Sequence, residues 1–318
     1  MNKILTKKLF ILVLLFITSF FIFSKKEVKA VEIAPDQVTD EMIKQLEKME
    51  KSVSKEEKIM KYDSRTKQTK EVDMQEIKQL SKLKNSNSNT TNEYNPIRVN
   101  TNLKTIQPRA VFNRVYDVTA DPNFHTGLIT ISGNNAGTGF LVGRNLVLTA
   151  AHCVMDDNNQ FYDWRFYPAY AGGAYEGYSS GWAEVYYSNN WTSSHSPDYD
   201  WCLCILYEDL GSRFGWYACQ TYINNSDFDG RSVGDIGYPG DFEDGHYQYY
   251  TYGTVSNTHD RYFDSTSQVI SGFSGGPIYQ TSNKYVIGLN KGYYTSRPHI
   301  TFGVKITQDI VDLINSFS

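Results

Sequence analysis

From Val111 to the last dozen residues the chain is built of short apolar runs separated by Gly-, Pro-, Asn- and Asp-rich turns, with no stretch of helical periodicity. LITISG, GFLVGRNLVLTAA, WCLCILY, VIGLN and TFGVKI are such runs. Runs this short, rich in aromatic and β-branched residues, pair as strands; a helix needs a longer stripe. The region is therefore expected to be all-β. Helical spacing returns only at the end, where Thr307 can cap a helix that places Ile310, Ile314 and Phe317 on one stripe.

The first hundred residues obey different rules. Lys3, Lys7 and Lys8 precede an apolar run from Leu9 to Phe23, and Val28-Lys29-Ala30 offers a small-x-small cleavage site. The run is shorter than the ~20 residues a membrane-spanning helix needs, so residues 1–30 read as a signal peptide and the product as secreted and extracellular. Residues 31–109 contain 15 Lys/Arg and 13 Asp/Glu but no Cys, Gly or Trp, whereas residues 110–318 hold all five Trp. Val38, Met42, Leu46, Met49 and Val53 recur at helical spacing. Asp73 with Glu76 makes a capping-box-like start to a second helix bearing Ile77, Leu80 and Leu83, and NSNSNTTN at 85–92 reads as a polar linker. The expected division is a signal peptide (1–30), a helical propeptide with its linker (31–109) and the β-rich domain (110–318). Such a leader either keeps the domain quiet or assists its folding; the alternative is a solvated arm without an inhibitory role. The β-rich domain alone carries a net charge of −11 with histidines neutral. That balance argues against nucleic-acid binding and against attraction to anionic membrane.

Four cysteines, Cys153, Cys202, Cys204 and Cys219, are too few for a disulfide-built scaffold of this size. Buried apolar thiols are the expectation, with a bridge from Cys153 to Cys202 or Cys204 left open. No metal-ligand spacing is present, and no cofactor is implied.

Three segments carry chemistry: TAAHC at 149–153, DYDWCLCIL at 198–206 and GFSGGP at 272–277. They supply His152, Asp200 and Ser274. A serine hydroxyl is a poor nucleophile at neutral pH, so it needs an imidazole as base, and the imidazole needs a carboxylate to fix its tautomer and orientation. Asp198 competes with Asp200 for the acid. Counting the strand from Asp198 would bury Asp200 at a small position as a second, unpartnered carboxylate, so Asp200 is favoured and Asp198 becomes a turn residue after Pro197. GFSGG also satisfies the GxSxG elbow of α/β-hydrolases, but that fold orders its triad Ser, acid, His, and here the histidine comes first.

These blocks, in this order, resemble the signature segments of chymotrypsin-fold serine proteases. GYPGD at 237–241 and NRVYDVTADPNF at 113–124 are similar to the secreted bacterial glutamyl-endopeptidase, or V8-like, branch. The resemblance runs from about Val111 to the C-terminus and marks Arg109 as a processing point. It implies two six-stranded antiparallel β-barrels with the cleft between them, His152 and Asp200 from the first and Ser274 from the second; the C-terminal helix is expected to pack on the second barrel. It further implies peptide-bond hydrolysis through an acyl-enzyme, with the NH groups of Gly272 and Ser274 as oxyanion donors, protein or peptide substrates, the chain's own propeptide as a partner and a monomeric state. Phe273 stands where trypsin-type zymogens carry the aspartate that receives the freed N-terminal amine, which excludes that activation switch. The branch places a hydroxyl residue and a histidine against a substrate carboxylate at positions that here fall on Val269 and Asn290. Neither makes that contact, so Gln268, Lys305 or His299 is left to shape the specificity pocket. The competing functions are a secreted esterase and a non-catalytic relative that serves as a binding module.

Overall fold

The structure, a computed structural model, describes residues 36–51, 57–87, 112–222 and 224–317. The expected signal peptide and Arg109 lie outside the described residues.

The segment ahead of the β-rich domain, expected to be a helical leader, is not helical throughout. It runs β1 (Gln37–Val38), α1 (Asp40–Lys51), β2 (Ile59–Asp63), β3 (Gln68–Glu71) and α2 (Met74–Asn87). Both helices begin at side-chain caps: Thr39 Oγ1 accepts from the Met42 NH at 3.2 Å, and Asp73 Oδ1 accepts from the NH groups of Gln75 and Glu76 at 2.8 and 3.3 Å. Val38, expected on the face of the first helix, instead lies in β1 and is fully buried. The β2–β3 hairpin was not expected either. Asp63 Oδ1 closes its turn on the NH groups of Arg65 and Thr66, at 2.8 and 3.1 Å, with Lys67 at φ 58°. All four residues of β3 are exposed, so the segment carries no apolar alternation to betray it. A neighbouring sheet edge makes it a strand.

That edge belongs to the first half of the β-rich domain. After β4 (Asn113–Arg114) come β5 (Thr126–Ile131), β6 (Asn134–Gly143), β7 (Leu146–Thr149), β8 (Trp164–Pro168), β9 (Trp182–Ser188), the short α3 (Asn189–Ser194) and β10 (Cys202–Leu206). Their order in the sheet is β8-β5-β6-β7-β10-β9, and beyond β9 the sheet continues into β2 and β3 of the leader. A bridge between Phe166 of β8 and Ser180, just ahead of β9, joins the two ends through NH-to-O bonds of 2.9 and 3.0 Å.

After α4 (Gly211–Phe214), the second half holds β11 (Ser232–Gly237), β12 (Tyr249–Thr258), β13 (Tyr262–Ser265), β14 (Pro277–Gln280), β15 (Val286–Tyr294) and β16 (Thr301–Lys305). These six close into a barrel, because β16 pairs with both β13 and β15. The expected architecture is thus present, with one barrel fully laddered and the other closed by a bridge. Phe140, Leu141, Val147, Leu148, Val185 and Leu203 are completely buried in the first half, and Phe228, Val233, Phe263, Ile278 and Ile287 in the second. Each such side chain contributes about 1.5–3 kcal/mol by leaving water.

The C-terminal helix α5 (Gln308–Phe317) buries Ile310, Leu313 and Ile314 as its stripe requires. Its packing differs from the expectation. It lies against α2 of the leader, with a Lys78–Asp309 ion pair at 2.8 Å, and against the first half, where Phe317 meets the Tyr186 ring edge-on at 5.3 Å.

Candidate active site

Strands β7 and β10 run antiparallel with Thr149 opposite Cys202. His152 lies three residues past one and Asp200 two residues before the other, so both leave the same end of the paired strands. This register brings together two residues 48 apart in sequence. His152 sits in the tight turn Ala151–Cys153, beneath which Ala150 and Ala151 are fully buried. Its ring Nδ1 meets Asp200 Oδ2 at 2.6 Å, and its backbone NH donates to Asp200 Oδ1 at 3.0 Å. Asp198 is the turn residue expected, accepting from Ser196 Oγ at 2.6 Å.

Ser274 comes from the loop ahead of β14, and the first half holds that loop in place. The Thr138 NH donates to the Ser274 carbonyl at 2.8 Å, Thr138 Oγ1 donates to the Gly272 carbonyl at 2.7 Å, and Cys153 Sγ donates to the Ser274 carbonyl at 3.4 Å. Gly275, at φ 79°, passes so near Thr149 Oγ1 and the Thr138 carbonyl that a β-carbon there would collide with both. The Ser271 carbonyl accepts from the Gly240 NH at 3.0 Å, which turns it away from the NH groups of Gly272 and Ser274. Neither of those two NH groups has a partner among the described residues, the state an anion-binding pair requires. Phe273 is buried against Gly237 and meets the Phe112 ring at 5.9 Å, so an aromatic contact anchors the loop where an ion pair is impossible.

The Ser274 hydroxyl donates to the carbonyl of Lys291, at 3.1 Å. Lys291 was not singled out in the sequence, yet its ammonium lies 3.4 Å from Asp200 Oδ2 and its side chain is buried. A lysine inside the otherwise uncharged strand VIGLNKGYY was the available signal. Burial would lower the His152 pKa, but the Asp200 carboxylate overrides it and lifts the imidazole to about 9; Cys153 adds to the rise and Lys291 opposes it. Burial would raise Asp200, and His152 with Lys291 hold it below its ordinary value.

The candidate specificity residues are less gathered. Val269 and Asn290 are buried, and Asn290 bonds by its backbone to Gly275 and Gly276 at 2.7 and 2.9 Å. Gln268 is half-buried and His299 exposed. The Lys305 ammonium is engaged by Asn225 Oδ1 at 2.9 Å and the His259 carbonyl at 3.1 Å, above the Phe228 ring. The cation that faces His152 and Asp200 is Lys291, not Lys305. Behind Asn290 lies Asp235, fully buried beside Ser267, its carboxyl pushed up to about 7 by burial. All four cysteines are free thiols, and among the described residues no cluster of His, Cys, Asp and Glu could hold a metal ion. No helix among them is long and apolar enough to cross a membrane.

Comparison with known proteins places these observations. Residues 137–289 match the family model described as a trypsin-like peptidase domain. An extracellular metalloprotease of Bacillus subtilis (strain 168) is 31% identical over 160 residues, 44% of this chain and 48% of that protein. A glutamyl endopeptidase of Bacillus licheniformis is 26% identical over 173 residues, 54% and 53% of the two chains. The chain spans about half the length of these curated relatives. Among solved structures, a Glu endopeptidase in complex with MPD superposes with a TM-score of 0.58 at 24% identity, covering 64% of this chain and 94% of that one. The match covers the segments that bear His152, Asp200 and Ser274, so residues 137–289 resemble a trypsin-like peptidase domain, and the superposition shows that the fold is that of the Glu endopeptidase.

Proposed function

We propose that the chain is a secreted serine endopeptidase, made as a preproprotein, that hydrolyses peptide bonds through an acyl-enzyme. The observation that carries this reading is the two-point hold of Asp200 on His152, next to a loop that presents Ser274 with two free NH groups. Ser274 swings from the Lys291 carbonyl to Nε2 of His152, which Cys153 Sγ approaches at 3.8 Å, and attacks the scissile carbonyl. His152 takes the hydroxyl proton and passes it to the leaving amine, while Asp200 stabilises the imidazolium. The NH groups of Gly272 and Ser274 bind the oxyanion, each worth about 3 kcal/mol in the transition state. Water then releases the acyl group by the reverse proton path.

The leader acts as a propeptide in this reading. β1 lies parallel to the end of β15, with the Tyr293 NH donating to the Asp36 carbonyl at 3.0 Å and the Thr295 NH to the Val38 carbonyl at 3.0 Å. Backbone pairing of this kind, two residues past Lys291, occupies an edge that an extended peptide would otherwise use. Removal of the leader, with Arg109 as the processing point, frees that edge. The residue recognised before the scissile bond is neutral or polar, because Val269 and Asn290 bring no cation and Asp235 stands behind them.

Treatment of the processed protein with a fluorophosphonate probe tests the reading. Stoichiometric labelling of Ser274, lost in Ser274→Ala, is the expected result. A folded, processed chain that never labels is instead a binding module, and one that labels yet cleaves only esters is an esterase.

A further inference from the structure

Position 291 departs from the regular barrel. The register of β15 against β16 runs Asn290 opposite Gly303 and then Gly292 opposite Phe302, so Lys291 is the extra residue of a β-bulge. A bulge breaks the alternation of a strand and re-aims one side chain. Gly292, at φ 148°, supplies the backbone freedom this needs. The consequence is that a lysine in the middle of a barrel strand is only 3% exposed and reaches across to the first half.

We propose that Lys291 is a positioning residue of the triad, holding the Ser274 hydroxyl through its carbonyl and sharing one oxygen of Asp200 with His152 through its ammonium. The inference rests on the peptidase reading above and adds a member to its machinery. The geometry is specific. Asp200 Oδ2 receives His152 Nδ1 at 2.6 Å and Lys291 Nζ at 3.4 Å, so the two nitrogens lie no farther apart than the sum of these distances, about 6 Å. Asp200 itself is fully buried. Two positive groups on one buried carboxylate oppose each other. Both strengthen the ionised aspartate, and Lys291 makes the imidazole proton easier to lose.

The ionisable groups around His152 are Asp200, Cys153 and Lys291, and Cys202 faces Asp200 from the head of β10. Of these only Lys291 weakens the hold on the imidazole proton. Without it the buried His-Asp pair would hold that proton more tightly still, and the base would be freed only at higher pH. Lys291 therefore sets the pH at which His152 becomes competent and keeps Asp200 ionised beneath it.

The test is the rate of Ser274 modification by diisopropyl fluorophosphate as a function of pH, in processed wild type, Lys291→Arg, Lys291→Met and Lys291→Gln. Circular dichroism first establishes which variants are folded, and the glutamine variant stands in where methionine does not tolerate the site. The acid limb is expected to move up by about one unit or more in the neutral variants, with rates converging on the wild-type plateau at high pH, and to stay in place in Lys291→Arg. A uniform loss at every pH with an unmoved limb makes Lys291 a packing residue and overturns the proposal. Titration of the His152 ring protons by NMR, in wild type and Lys291→Gln, reads the same shift without activity. If wild type never labels, the peptidase reading fails while the NMR titration still decides the role of Lys291.

Discussion

Asp200 grips His152 by both oxygens, one on the ring Nδ1 at 2.6 Å and the other on the backbone NH at 3.0 Å. The second bond fixes where the histidine stands, and the first fixes which way its ring faces and which nitrogen carries the proton. These two jobs separate in a variant. Asp200→Asn retains an acceptor for the backbone NH but presents the wrong partner to the ring. It is expected to lower kcat by about 10⁴ while the protein remains folded. Burst kinetics with circular dichroism on the processed chain check this, and a variant within tenfold of wild type contradicts the assigned roles.

The pH dependence of folding has two opposite arms. The folded His152 binds its proton more tightly than the unfolded chain does. Its pairing is therefore fully stabilising below the ordinary histidine value of about 6.5 and fades as pH climbs through about 9. Asp200, held low, contributes above the ordinary aspartate value and loses that contribution as pH falls through its depressed one. Melting temperature against pH should show both arms, and both should shrink in His152→Ala. Catalysis runs the other way on the alkaline side, because only the neutral imidazole is a base. The labelling rate of Ser274 is expected to rise from pH 6.5 towards 9.

Asp235 gives a stability prediction of reversed sign. Burial raises its carboxyl to about 7, and hydrogen bonding from Ser267 and Asn290 only partly offsets the rise. The folded state therefore resists ionisation, and a penalty builds from about pH 4 to 7 and then levels. Asp235→Asn is expected to stabilise the domain above pH 7 by up to roughly 4 kcal/mol and to leave it little changed at pH 4. Urea denaturation at the two pH values measures the difference, and equal stability of the two proteins at pH 8 contradicts the account.

The leader hairpin offers a test of latency. Lys61 of β2 pairs with Glu184 of β9, both largely buried by their neighbours. Lys61→Glu sets two carboxylates against each other on paired strands, which weakens docking of the hairpin. Fluorophosphonate labelling of the unprocessed chain is expected to accelerate several-fold, with no change in the processed one. An unchanged rate in the unprocessed variant means that the hairpin does not restrain the site.

A last prediction concerns the turn behind the nucleophile. Gly275→Ala forces a β-carbon into Thr149 Oγ1 and the Thr138 carbonyl at a left-handed φ. The expected result is loss of labelling and a destabilisation of about 2 kcal/mol or more, read by thermal melting. Normal labelling by this variant would show that the loop is not held as described.

Much of this protein is written locally. The paired glycines around Ser274, the small residues beneath His152, the Asp73 cap and the short apolar runs of the barrels each state their structure within a few neighbouring residues, because turn geometry, capping and strand burial are decided by the side chains at hand. Chain order alone separated this triad from the hydrolase elbow. Other features have no local cause. β3 is a polar strand that exists because β2 is placed on the β9 edge, Val38 is a strand residue because β15 has an NH to offer, and the C-terminal helix chose α2 and Tyr186 over the second barrel. Lys291 is the sharpest case: one bulge in β15 turns a lysine that reads as a strand residue towards a carboxylate 91 positions earlier. The chain's residues determined which groups were at hand for catalysis. Only the tertiary structure decided which of them share an oxygen, since that depends on backbone register between strands distant in sequence.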